Sequence, residues 1–238
     1  MILPLRDSIP TLHRPYMVWS ILILTICVLL FQTTLPAREV MAFTLEFGLI
    51  PSRVFCLDGL YGVITYIFLH SGWWHAITNM WMFWIFADNV EDIMGPWRFL
   101  IFYLACGFVA GVAHVVANAT SPIPVVGASG AVSGVLGAYF LLYPHAKILT
   151  FVFLFILRIP AALYLGGWFL LQLFSAFGEG TDSIAWWTHL GGFIAGMLLM
   201  PLFRDKKRGK PGERIGRVER SLPDAPDDPW ARYRSKRN

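Results

Sequence analysis

Apolar runs of about 20 residues fill this chain, and no other feature so restricts what it can fold into. A helix rises 1.5 Å per residue, so roughly 20 apolar residues cross about 30 Å of hydrocarbon. Six runs, at 17–35, 73–90, 97–117, 128–143, 160–177 and 184–203, take up most of the 238 residues. The chain is 56% hydrophobic and 14% charged, whereas soluble domains are about 45–50% apolar and about 25% charged. The expectation is an all-α membrane protein, a bundle of six transmembrane helices. The first run is longer than the apolar core of a secretory leader and no small-residue cleavage site follows it, so it is expected to stay as a span.

Two further apolar stretches fit this scheme less simply. Residues 148–157 would extend only about 15 Å as a helix, too short to cross, and read as an interfacial or re-entrant segment. Residues 54–69, in the first outer loop, are interrupted by Asp58 and Gly59 and read as lying partly in the membrane surface.

Charge divides the chain and orients it. Twelve of the nineteen Lys and Arg, with six acids, lie in 204–238, which leaves seven basic against nine acidic residues elsewhere. The organisation expected is an N-terminal segment at 1–15, a six-span domain at 16–203 and a basic, disordered tail at 204–238. Arg6, Arg14, Arg98, Lys147, Arg158 and the tail fall on one side of the spans, and only Arg38 and Arg53 on the other. The positive-inside rule then puts both termini in the cytoplasm. A basic tail directly after a span points to the bilayer and its anionic lipids as partners, and not to nucleic acid. Cys27, Cys56 and Cys106 lack metal-ligand or disulfide spacing and read as packing residues. No metal or cofactor is expected.

Polar side chains inside spans carry an insertion cost and therefore mark function. His75 and Asn79 in the second run, Ser129 in the fourth and His189 in the sixth stand out. Counted from the cytoplasmic ends of their runs, His75, Ser129 and His189 all lie about 21–22 Å up, roughly 8 Å below the outer hydrocarbon surface. Pro122, Pro124 and Gly127 stop the fourth run short, which puts Ser129 in the first turn of a helix that opens inside the membrane. Free N–H groups and the helix dipole favour an oxyanion there. Gly127 and Gly130 flank Ser129 and are expected to leave room for a substrate backbone. His75 and Asn79, four residues apart, project from one helix face, and both can donate hydrogen bonds. The pairs Gly107/Gly111, Gly130/Gly134 and Gly192/Gly196 read as sites of close helix approach.

With these residues in place the chain resembles the rhomboid proteases over residues 16–203. Gly127-Ala-Ser129-Gly130 matches GxSG, His189-Leu-Gly-Gly192-Phe-Ile-Ala-Gly196 matches HxxGxxxG, and His75-Ala-Ile-Thr-Asn79 matches HxxxN, each on the span where the family carries it. The resemblance implies an intramembrane serine endopeptidase of the six-span bacterial type, in the inner membrane, acting on single-span membrane proteins. It implies Ser129 as nucleophile and His189 as base in a dyad. The oxyanion would be held by the Ser129 N–H with His75 and Asn79. Asp182 and Asp88 are poorly placed to complete a triad. The chain departs from the family at Ser133, where an aromatic residue often packs on the catalytic imidazole, and at Thr188, where Ala is frequent. The Trp-Arg pair that some members carry in the first outer loop has no counterpart. Access to the site is assigned to 54–69, the fifth span and residues 177–183.

Two other functions compete. A non-catalytic rhomboid-like protein that binds spans would lack Ser129 or His189, and both are present. A transporter would call for internal repeats and charged residues at mid-depth, and the chain has neither.

Overall fold

The computed structural model describes residues 2–177 and 185–208. Residues 178–184, most of the loop expected to cap the site, and 209–238, most of the tail, lie outside the described residues. The chain opens with a strand, β1 (Ile2–Arg6), followed by helix α1 (Tyr16–Thr34). The helices α2 (Ala37–Phe47), α3 (Pro51–Phe55) and α4 (Gly62–Thr65) lead through a 3-10 turn to α5 (Trp73–Met94). Then come α6 (Pro96–Ala117), α7 (Ser129–Leu142), a hairpin of β2 (Lys147–Val152) and β3 (Phe155–Pro160), and the helices α8 (Ala161–Ala176) and α9 (Trp186–Phe203).

The apolar runs become helices within a few residues of the ends read from the sequence. By length and composition, α1, α6 and α9 can each cross a membrane. Helix α5 is as long as α6, at 22 residues, but less apolar, since it carries His75, Asn79, Asp88, Asn89, Glu91 and Asp92. Helices α7 and α8 are apolar but shorter, at 14 and 16 residues. Large apolar side chains point outward, among them Ile23 and Phe31 on α1, Phe108 on α6, Leu171 on α8 and Leu198 on α9. Thr25, Gln32, Asn79 and Gln172 are turned inward. Apolar outside and polar inside is the arrangement hydrocarbon selects, and the protein is an integral membrane protein.

The all-α expectation requires correction. Residues 148–157, read as an interfacial or re-entrant segment, are strand and turn: they belong to a three-stranded antiparallel sheet in the order β1-β2-β3. Lys147 faces Pro160 and Val152 faces Phe155 in the hairpin, while Ile2 faces Val152 and Arg6 faces Leu149 in the outer pair. The run KILTFVFLFILRIP is rich in β-branched and aromatic residues, which favour strands. A third strand from the N-terminus supplies the support a lone hairpin lacks.

The N-terminal segment is tied along α5, from Trp81 to the end remote from His75. Trp81 Nε1 donates to the Pro4 carbonyl at 2.7 Å, and Asp92 accepts from the Leu12 N–H at 2.9 Å. Glu91 caps α1, its two oxygens accepting from the N–H groups of Met17 at 3.1 Å and Val18 at 2.8 Å. A carboxylate there also answers the positive end of the helix dipole. The first tail residues fold back to this end, where Asp205 N–H donates to the Ile93 carbonyl at 3.2 Å.

Helices α7 and α9 are the centre of the bundle, and the glycine pairs explain their approach. A Cβ on Gly192 would overlap the Gly130 carbonyl, and one on Gly196 the Gly134 carbonyl. Gly107 and Gly111 of α6 receive Ile67, Tyr66 and Val63 from the first loop. Of the cysteines, Cys106 packs at Gly134 as expected, whereas Cys27 and Cys56 are exposed.

The candidate active site

Ser129 is the first residue of α7. The chain reaches it through Gly127, whose φ of +128° is a conformation L side chains rarely adopt. The Gly127 N–H donates to the Tyr66 carbonyl at 2.9 Å, fixing the loop on the 3-10 turn. The N–H groups of the first turn, Ser129 among them, have no acceptor within their own helix.

His75 and Asn79 converge on this loop from α5. A Cβ placed on Gly127 would fall 2.7 Å from His75 Cε1, 2.8 Å from His75 Nε2 and 3.7 Å from Asn79 Nδ2. His75 Nδ1 is paired with Ser71 Oγ at 2.9 Å. Asn79 Nδ2 is buried with no hydrogen-bond partner among the described residues, an arrangement that costs stability unless a ligand completes it. His70 approaches the backbone of the same loop. Its Nε2 lies 3.5 Å from the Ala128 nitrogen, and its own backbone is held by Gln32 of α1.

Gly130 does not leave the room expected of it. A Cβ there would meet Ala110 Cβ at 2.7 Å and Tyr66 Oη at 3.0 Å, so its open face is filled by α6 and the first loop. Its smallness serves packing, as does that of Gly192 across from it.

His189 stands on α9 one turn before Gly192, level with the start of α7. Its Nδ1 lies 2.7 Å from Gln172 Oε1 of α8. Trp168, one turn earlier on α8, lies 6.1 Å from the imidazole, centre to centre, and Trp186 meets it edge-on at 6.0 Å. Ser133, at the position where the resemblance led us to expect an aromatic, instead donates from its Oγ to the Ser129 carbonyl at 2.6 Å. Gln172 was missed in the sequence although the signal was present: it is an amide inside an apolar run, the same criterion that singled out Asn79. Asp88 is far from this cluster, bonded to Thr11 beside the N-terminal segment, and Asp182 lies outside the described residues.

The Rhomboid domain model matches residues 58–206, which includes every residue of this cluster. The chain is 30% identical over 145 residues to the mitochondrial Rhomboid protein 1 of Saccharomyces cerevisiae, covering 57% of this chain and 40% of that protein. It is 33% identical over 153 residues to the Rhomboid protease GluP of Bacillus subtilis, covering 64% of this chain and 28% of that protein. The Presenilin-associated rhomboid-like protein, mitochondrial, of Mus musculus is 32% identical over 105 residues, covering 43% of this chain and 26% of that protein. In each case the match spans less than half of the relative's length. With more than half of the chain inside the domain match, and the GxSG, HxxGxxxG and HxxxN segments gathered at one end of the bundle, the protein belongs to the rhomboid family.

Proposed function

We propose that this protein is an intramembrane serine endopeptidase in which Ser129 is the nucleophile and His189 the general base. The observation that carries the reading is the convergence of His75 and Asn79 on the loop at Gly127, two residues before a serine that opens a helix. Packing of α7 on α9 through Gly130 and Gly192 brings His189 to the same level.

In this mechanism Ser129 Oγ attacks the scissile carbonyl and passes its proton to His189 Nε2. The oxyanion accepts from the Ser129 N–H, from Asn79 Nδ2–H and from His75 Nε2–H, whose hydrogen is kept on Nε2 when Ser71 Oγ–H donates to Nδ1. Collapse of the tetrahedral intermediate breaks the C–N bond, and His189 gives its proton to the leaving amine. Water, activated by the same imidazole, then frees the acyl group from Ser129.

The same reading takes α1, α5, α6, α7, α8 and α9 as six spans with both termini cytoplasmic, in a bacterial inner membrane. The short helices α7 and α8 are compatible with it because the loop at 118–128 leads into α7 and the strands β2 and β3 join α7 to α8. The substrate is a single-span membrane protein cut near the outer end of its helix, and the basic tail rests on anionic lipid. The test is cleavage of a single-span model substrate by the purified protein in liposomes. Wild type is expected to yield two fragments and Ser129→Ala none; equal cleavage by both would refute the assignment.

A further inference from the structure

We propose that Gln172 is the positioning residue for His189, so that the base is oriented from α8 by a neutral amide. The proposal rests on the serine protease reading for its kinetic consequence, but the contact itself does not depend on it.

A buried imidazole has two neutral tautomers, and a base toward Ser129 must carry its hydrogen on Nδ1 so that Nε2 has a free lone pair. Gln172 Oε1 lies 2.7 Å from Nδ1. A carbonyl oxygen can only accept, so the bond requires the Nδ1–H tautomer. Gln172 is 9% exposed and, with Ala161 and Leu165, one of three buried residues on α8. An amide placed there in a span is costly unless its oxygen is used.

The surroundings complete the hold. Trp168 and Gln172 are four residues apart and so share one face of α8, and both meet the His189 ring. Trp186 closes the ring edge-on. Ser133 cannot replace them, because its hydroxyl is bonded to its own helix at the Ser129 carbonyl. An amide also suits the medium: a buried carboxylate would carry a desolvation cost of several kcal/mol, whereas Gln supplies the acceptor uncharged. With an amide, the imidazolium formed during attack is met by a dipole alone, without the charge that an aspartate would provide.

Three variants of the full chain test this in liposomes with the single-span substrate: Gln172→Leu, Gln172→Glu and Ser129→Ala. Gln172→Leu is expected to lower kcat by about 10- to 100-fold with KM within about twofold. Gln172→Glu restores an acceptor and is expected to recover kcat to within a few-fold. It also moves the acid limb of the pH–rate profile to higher pH, because a carboxylate retains a proton on the ring that an amide does not. The tautomer is read independently of activity from the 15N resonances of His189, which is expected to be Nδ1-protonated in wild type and mixed in Gln172→Leu. An unchanged kcat in Gln172→Leu, or a loss that Gln172→Glu neither rescues nor shifts in pH, would overturn the positioning role. If Gln172→Leu fails to fold, the pH profile of Gln172→Glu and the wild-type tautomer decide alone: an unmoved limb or an Nε2-protonated ring overturns the proposal. Equal cleavage by wild type and Ser129→Ala would instead refute the protease reading, leaving the tautomer result standing.

Discussion

Gly192 faces the carbonyl oxygen of Gly130 at a separation that admits a hydrogen and no carbon. This contact holds α9 against α7 and sets His189, one turn away on α9, at the level of the start of α7. A helix pair in lipid has no hydrophobic drive between its members, so close backbone packing carries much of its association.

Gly192→Ala is therefore expected to destabilise the protein by at least about 1–3 kcal/mol, the usual cost of overpacking, because only backbone is there to yield. Gly167→Ala is the control: nothing lies within 4 Å of its Cβ position, and alanine in a helix gains up to about 1 kcal/mol over glycine. Thermal unfolding in detergent should lower the midpoint for the first and leave it level or raised for the second.

Ser129→Ala and His189→Ala should each reduce turnover by more than about 1000-fold, and the double variant should be scarcely worse, because two residues that act as one unit are not additive. A fluorophosphonate should label the wild type at Ser129 and fail on His189→Ala. Additive losses would contradict a dyad.

On the same reading, loss of a proposed oxyanion donor should be milder, since the Ser129 N–H and the helix terminus remain. Asn79→Ala and His75→Ala are expected to lower kcat by roughly 10- to 1000-fold at little change in KM. A change confined to KM would mark the pair as substrate contacts. Gly127→Ala should be worse than either, since it strains a positive φ and drives a methyl into the His75 ring.

The N-terminal segment should loosen as pH rises. Asp7 accepts from Tyr139 Oη–H at 2.5 Å and from Asn89 Nδ2 at 2.9 Å. Burial is the main cause that lifts its pKa from 3.8 to about 7; the Tyr139 bond opposes this and nearby Asp88 adds to it. The folded state therefore holds a proton that the free segment releases. The stability this contributes is complete below about pH 4 and is lost as pH rises to about 7. Amide exchange in Ile2–Arg6, corrected for its intrinsic pH dependence, should be roughly tenfold or more faster at pH 8 than at pH 5. Asp7→Asn should remove the difference.

On the proposed protease reading, a substrate helix has to unwind before its peptide bond can reach Ser129, because helical backbone hydrogen bonds and side chains shield the carbonyl. Gly or Pro near the cut should ease this. Replacing them with Leu at constant length and charge should slow cleavage strongly in the liposome assay. Equal rates, or fragments ending at the cytoplasmic end, would exclude entry by unwinding near the outer surface.

Composition and run length alone determined the membrane setting and the helix ends, because the insertion energy of a span sums over its own residues. Local spacing went as far as placing His75 and Asn79 on one face and Ser129 in a first turn, since helix geometry repeats within a few residues. The residues around 148–157 escaped this logic. A short apolar run has no period that separates strand from helix, and its fate was decided by pairing with Ile2–Arg6, nearly 150 positions away. Gln172 and His189 are 17 residues apart on different helices. Their bond depends on the rotation and depth of α8 against α9, which no local pattern encodes. Tertiary packing likewise filled the space at Gly130 and left the Asn79 amide directed at the loop before Ser129, because a side chain's neighbours follow from how the helices dock.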